Sequence, residues 1–254
     1  MIIQDFIIDE YKFKLPVGVI DNNGTLHDTV TLKPMTGLVE ERMNDPKIKN
    51  NGGKIITELI YGVVESIGTL PRVNKDLIRD LSSIDRDFIV LANSMVSFDK
   101  MENPLEFEAK CSCGGVNTLM VMLPELPCNP LEDKHNREIT FKLKDGIEDT
   151  EGTVHKDITI MLPTGRVQEA ISPILMQNMA SAKTMTFQLI TKNIGTLPFI
   201  NLDTFKKMTR RDRKLIESTI NDVNAGINLT INSVCNHCGN DLTALIPIEA
   251  LMGE

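Results

Sequence analysis

Apolar residues recur at helical spacing between about Lys54 and Ser66. Ile56, Leu59, Ile60, Val63, Val64 and Ile67 share one broad face, which predicts an amphipathic helix. A more polar counterpart, Thr184 to Asn193, keeps Phe187, Ile190 and Ile194. Earlier helices are expected at Val39-Glu40-Glu41 and Val167-Gln168-Glu169, where acidic or amide residues suit the positive end of the helix dipole. Pro46 and Pro173 limit or kink them. Two further helices open on Ser82-x-x-Asp85 and Thr209-x-x-Asp212, both readable as capping boxes. They carry Phe88, Ile89, Leu91 and Met95 in one case, and Leu215, Ile216, Ile220 and Val223 in the other.

The period then falls to two. Leu105, Phe107 and Ala109 alternate with Glu106, Glu108 and Lys110, while Leu229 and Ile231 alternate with Asn228, Thr230 and Asn232. Strands at Leu119 to Leu123 and Leu242 to Ile246 follow them. Hairpins are expected around Phe13-Lys14-Leu15 with Thr29 to Leu32, and around Phe141-Lys142-Leu143 with Asp157 to Ile160. Asn23-Gly24 is a strong turn signal, and Asp145-Gly146 stands near the corresponding place. On that alignment Ile147 to Gly152 is an extra, exposed acidic loop that lengthens the second hairpin.

Every predicted element therefore occurs twice, and short motifs repeat with it. Ile67-Gly68-Thr69-Leu70-Pro71 returns as Ile194-Gly195-Thr196-Leu197-Pro198, an offset of 194 − 67 = 127. In both places the glycine is expected to cap a helix and the proline to follow it. Asp85-Arg86 returns as Asp212-Arg213 at the same offset, and Thr36-Gly37-x-Val39-x-Glu41 returns as Thr164-Gly165-x-Val167-x-Glu169. The expected fold is α+β: a tandem duplication of a β-hairpin–helices–β-knuckle unit in a pseudo-twofold arrangement. The first unit is 1–128 and the second 129–254. Pro127-Cys128-Asn129-Pro130 and the polar residues up to Arg137 read as the linker. The length of 254 residues suits two domains of this size.

Composition narrows the function. Hydrophobic residues at 41% and charged residues at 24% are ordinary globular values and argue against bulk disorder. Tryptophan is absent and aromatics are 4%, which disfavours stacking platforms for single-stranded nucleic acid. A net charge of −8 repels phosphate and disfavours nucleic acid as the main partner. No apolar run is long enough to span a membrane, and the start Met1-Ile2-Ile3-Gln4-Asp5 lacks signal-peptide character.

Each half ends on a cysteine pair followed by glycine: Cys111-Ser112-Cys113-Gly114, and Cys235-Asn236-His237-Cys238-Gly239. A C-x-x-C-G turn between two strands is the knuckle of zinc ribbons. It points both thiolates at one metal, and the glycine permits the turn. Each half supplies two of the four ligands that a closed structural site needs. One reading has Cys111, Cys113, Cys235 and Cys238 complete a single structural zinc site between docked halves. The first pair is C-x-C, a tighter chelate than is usual for zinc. Other readings bring Cys128 or His135 to the first pair and His237 to the second, or leave the cysteines as small buried thiols. A redox role has no thioredoxin-like pattern around it.

Asp85-Arg86 and Asp212-Arg213 read as a helix-capping aspartate beside an arginine that bonds an incoming loop or the other unit. A paired catalytic site would need a nucleophile or base nearby, and the sequence places none. His27, His135, His155 and His237 match no helical metalloprotease spacing, and those in hairpins or loops are most simply solvated. Asn50-Asn51-Gly52-Gly53-Lys54 reads as a turn and helix start, and Lys206 to Arg211 as a solvated basic face.

The order of these features resembles the tail and baseplate assembly proteins of contractile-tailed bacteriophages, including the baseplate hub assembly proteins. The residues that carry it are Leu32-Lys33-Pro34-Met35-Thr36-Gly37-x-x-Glu40-Glu41, Asp85-Arg86, Cys111-x-Cys113-Gly114, Asp212-Arg213 and Cys235-x-x-Cys238-Gly239. The resemblance implies a non-enzymatic chaperone or structural subunit that binds other baseplate hub or tail proteins. It would work in the cytoplasm of the infected cell or in the virion. The alternative expectation is a zinc-ribbon nucleic-acid-binding protein.

Overall fold

In the computed structural model, which describes residues 1–253, the chain is a mixed α+β protein built on several small sheets. An antiparallel hairpin comes first, β1 (Lys12–Ile20) with β2 (Leu26–Leu32). Helices α1 (Gly37–Met43) and α2 (Gly52–Val63) follow, and β3 (Val64–Ile67) returns to pair with β2. Then α3 (Lys75–Asp80) and α4 (Ser83–Ser97) lead to a two-stranded ribbon, β4 (Leu105–Lys110) and β5 (Val116–Val121). A short strand, β6 (Cys128–Asn129), closes the first half.

The second half runs in the same order. Its hairpin is β7 (Glu138–Glu148) with β8 (Val154–Met161). Helices α5 (Gly165–Leu175) and α6 (Met179–Ile190) precede β9 (Thr191–Ile194), which pairs with β8. After α7 (Leu202–Lys207) and α8 (Arg210–Asn221), β10 (Gly226–Ile227) pairs with β6. The second ribbon is β11 (Thr230–Val234) with β12 (Asp241–Leu245), and α9 (Ile248–Leu251) follows it.

The long helix expected from Lys54 to Ser66 stops at Val63. Val64 turns to extended geometry, φ −77° and ψ 120°, and the chain joins the free edge of β2. The helical spacing ran through the junction because Val64 and Ile67 are both buried in the strand as well. The glycine that follows is therefore no helix cap. Gly68 and Gly195 each follow a strand with φ +50°. A Cβ there would sit 2.7 Å from His27 Nδ1 and 2.9 Å from His155 Nδ1. The second hairpin carries no insertion either. Gly146, φ +83°, matches Gly18, φ +82°, and both lie where the strand register shifts. The turn is Asp149 to Thr153, and its Asp149 N–H to Thr153 O bond repeats Asp21 N–H to Thr25 O.

The buried apolar side chains form two clusters. The smaller belongs to the second hairpin and its helices, with Leu143, Ile158, Ile160, Phe187, Ile190, Phe205 and Ile216. The larger fills the first half and also takes in Cys235, Leu242, Ile246 and Leu251. The second ribbon thus packs with the first half rather than with its own helices. The segment expected as a linker is anchored too. Leu131 N–H donates to Pro16 O, Lys134 Nζ to Leu15 O and Asp28, and Arg137 to Gly18 O.

Candidate metal centre

The first ribbon presents Cys111 and Cys113 in the turn between β4 and β5. The second presents Cys235 and Cys238 between β11 and β12. Both turns close on a left-handed glycine, Gly114 at φ +89° and Gly239 at φ +74°. The two turns face each other. Cys111 Sγ lies 3.8 Å from Cys238 Sγ, and Cys113 Sγ lies 3.8 Å from Cys235 Sγ. All four sulfurs fall within 4.8 Å of one another. Four sulfurs at ~2.3 Å from one ion in tetrahedral array stand about 3.8 Å apart, so the cluster has the size of a zinc–thiolate centre.

The pairing is reciprocal: the first cysteine of each turn meets the last of the other. Backbone N–H groups support it, with Gly115 donating to Cys113 Sγ and His237 to Cys235 Sγ. Asn117 ties the turns together. Its amide donates to Cys235 Sγ, and its oxygen accepts from Asn236 N–H. Burial raises the Cys235 thiol, but the N–H groups of His237 and Cys238 and the Asn117 amide outweigh it and lower Cys235 to about 6. At Cys238 the Asn240 N–H has a lowering effect. The neighbouring Cys113, Cys235 and Cys111 sulfurs, with burial, overcome it and push the thiol up to about 12. Crowded sulfurs resist bearing several negative charges without a cation among them.

The other proposed ligands stand elsewhere. Cys128 is buried in β6, with its thiol pushed up to about 12 by burial. His135 is exposed in the 130s loop. His237 crosses to the first turn, where its Nε2 lies 2.9 Å from Val116 O. A Cβ on Gly115 would come 2.5 Å from that ring, which explains the glycine.

The Asp-Arg pairs proved to be framework. Ser82 Oγ accepts the Asp85 N–H as expected of an N-cap, but the Asp85 carboxylate does not reach back to the cap. It is fully buried and accepts Val17 N–H and Gly18 N–H in the β1 bulge. Burial raises its pKa to about 6 against the pull of those donors. Asp212 holds the Lys144 and Gly146 N–H groups in the same way.

Arg86 donates to Ile78 O, Gly53 O and Thr57 Oγ1. Arg213 donates to Phe205 O, Ala180 O and Thr184 Oγ1, each partner 127 residues on. Arg86 makes one bond more, from Nε to Gln168 of the second half at 2.7 Å. His27 and His155 were expected in solvent but are 5% and 8% exposed. Each accepts a threonine N–H at Nδ1, from Thr69 and Thr196, and turns Nε2 to an aspartate, Asp21 and Asp149. The repeated glycines beside them were the sequence signal that could have located them.

Among the described residues no helix is long and apolar enough to cross a membrane. No protein-family model, curated protein or solved structure matches the chain.

Proposed function

We propose that the chain is a non-enzymatic assembly protein of the baseplate hub or tail of a contractile-tailed phage. In this reading it is a tandem duplication, with units 1–128 and 129–254, clamped by one structural zinc. The observation that carries it is the cysteine cluster. Cys111, Cys113, Cys235 and Cys238 come from both halves, fit the size of a tetrahedral centre and supply all four positions, leaving none for a substrate. The matched hydrogen bonds of Arg86 with Arg213 and of His27 with His155 support duplication. Asp85 and Asp212 spend their oxygens on backbone N–H groups, which suits a scaffold better than acid–base chemistry. The phage assignment rests on the order of sequence motifs. Its partners are other hub or tail proteins, met in the host cytoplasm or in the virion.

Metal analysis of the purified protein is expected to give about one zinc per chain. Cys113→Ser combined with Cys238→Ser should abolish it, and a strong chelator should lower the melting temperature. Protein that folds identically with and without the metal would sink the clamp. The assembly role is tested by pull-down from infected cells with identification of the bound proteins; recovery of no tail component would end that reading. The nucleic-acid alternative has the exposed run of Lys206, Lys207, Arg210 and Arg211 in its favour. It predicts salt-sensitive DNA binding, and a flat titration at low salt removes it.

A further inference from the structure

The joint between the helical parts of the two halves is asymmetric. The outer side of α5 sits in a socket made by α2, α3 and the start of α4. Gly53 permits the approach, since a Cβ there would meet the Gln168 and Glu169 backbone at 2.5 Å. Asn51 Nδ2 donates to Glu169 O, and Gly53 N–H to Ser172 Oγ. The Glu169 carboxylate accepts from Thr57 Oγ1 and Arg79 Nε, and Gln168 Oε1 from Arg86 Nε.

The second half has the same socket without an occupant among the described residues. At the 127 offset, Asn51, Thr57, Arg79 and Arg86 become Asn178, Thr184, Lys206 and Arg213. Asn51 is buried, whereas Asn178, Ala180, Lys206 and Lys207 are exposed. Arg213 bonds through its two terminal nitrogens, and its Nε has no partner among the described residues.

The matching plug exists at the other end of the chain. Helix α1 opens Thr36-Gly37-Leu38-Val39-Glu40-Glu41, where α5 opens Thr164-Gly165-Arg166-Val167-Gln168-Glu169. Val39 is buried against α2, but Leu38, Glu40 and Glu41 are exposed. In the positions of Gln168 and Glu169 the plug thus offers two carboxylates. The empty socket offers Lys206, Lys207, Arg210 and Arg213, with Lys206 held at present by Asp203 at 3.0 Å. Apolar surface flanks both: Leu38 is 56% exposed on the plug, and Met179 is 64% exposed at the start of α6.

We propose that the chain associates head to tail, α1 of a second copy entering the socket of α6, α7 and the start of α8. Glu40 takes the place of Gln168 on Arg213, and Glu41 the place of Glu169 between Thr184 and Lys206. Such a contact is heterologous, so each added copy leaves one plug and one socket open, and the assembly closes as a ring or extends as a filament according to the rotation between copies. Ala180 stands where the internal joint has Gly53, so the incoming helix sits further out and the contact is weaker than the internal one. The inference rests on the packing of the halves and not on the phage role.

Sedimentation of the purified full chain tests it. The wild-type mass is expected to rise stepwise with concentration and to fall back in high salt. Glu40→Ala with Glu41→Ala strips the plug of its charge, and Lys206→Glu with Lys207→Glu blocks the socket. Each double variant alone should be a monomer, and circular dichroism checks that each is folded. Mixed, they should give a 1:1 dimer and nothing larger, because one keeps its socket and the other its plug. A wild type that stays monomeric at its highest attainable concentration overturns the proposal. So do larger species that persist in either variant, a mixture that fails to pair, or mass growth that disappears on nuclease treatment.

Discussion

Arg86 shows what a single buried cation does in this fold. It has no measurable exposure, and burial lowers its guanidinium to about 10, still charged at neutral pH. Four protein groups depend on it, so Arg86→Met is expected to cost about 3–5 kcal/mol in denaturant unfolding. Arg213→Met should cost about 1–2 kcal/mol, because its site is partly open and one bond poorer. Equal costs would contradict the reading of the two sites. Asp85 supplies a pH dependence. Its folded value of about 6 lies above the unfolded value of about 3.9, so the native protein keeps the proton longer. The contribution favours folding below about pH 4 and is lost as pH rises through 6. The stability of wild type relative to Asp85→Asn, followed by thermal melts, should therefore fall across that window.

Elements were legible in the sequence wherever one period held for several residues. The β4 alternation of Leu105, Phe107 and Ala109 became buried positions of a ribbon, and the apolar run after Lys54 became α2. Junctions were less legible. Val64 to Ile67 satisfies both a helical and a strand pattern, and only the free edge of β2, remote in sequence, decides between them. Gly146 looked like a turn because a bulge and a turn ask the same left-handed backbone of glycine. The sulfur cluster was legible in its residues, since cysteine pairs with glycine are distinctive, but the straps were not. Nothing local marks Asn117 or His237 as ties between ribbons. Gly115→Ala tests one tie: its methyl would displace the His237 ring. We expect a loss of about 10–100-fold in zinc affinity with all four sulfurs intact, read by competition with a chromophoric chelator. An unchanged affinity would leave His237 as surface decoration.

At the scale of the molecule, the halves are alike in order and unlike in company. Reciprocity is confined to the cysteine turns, while the helices meet head to tail through α5. The larger core borrows Leu242, Ile246 and Leu251 from the end of the chain, and β6 waits for β10. A fragment of residues 1–128 is thus expected to lack a cooperative thermal transition, and a sharp one would show the first unit to be self-sufficient. The same borrowing sets a timetable for synthesis. Cys111 leaves the ribosome 235 − 111 = 124 residues before Cys235, about 6–25 s at ~5–20 residues per second. Throughout that interval the nascent chain exposes half a sulfur cluster and the unfilled side of its core. On that expectation the first half finishes folding only after β10, β11, β12 and α9 have been made, so its native form certifies that the second ribbon exists.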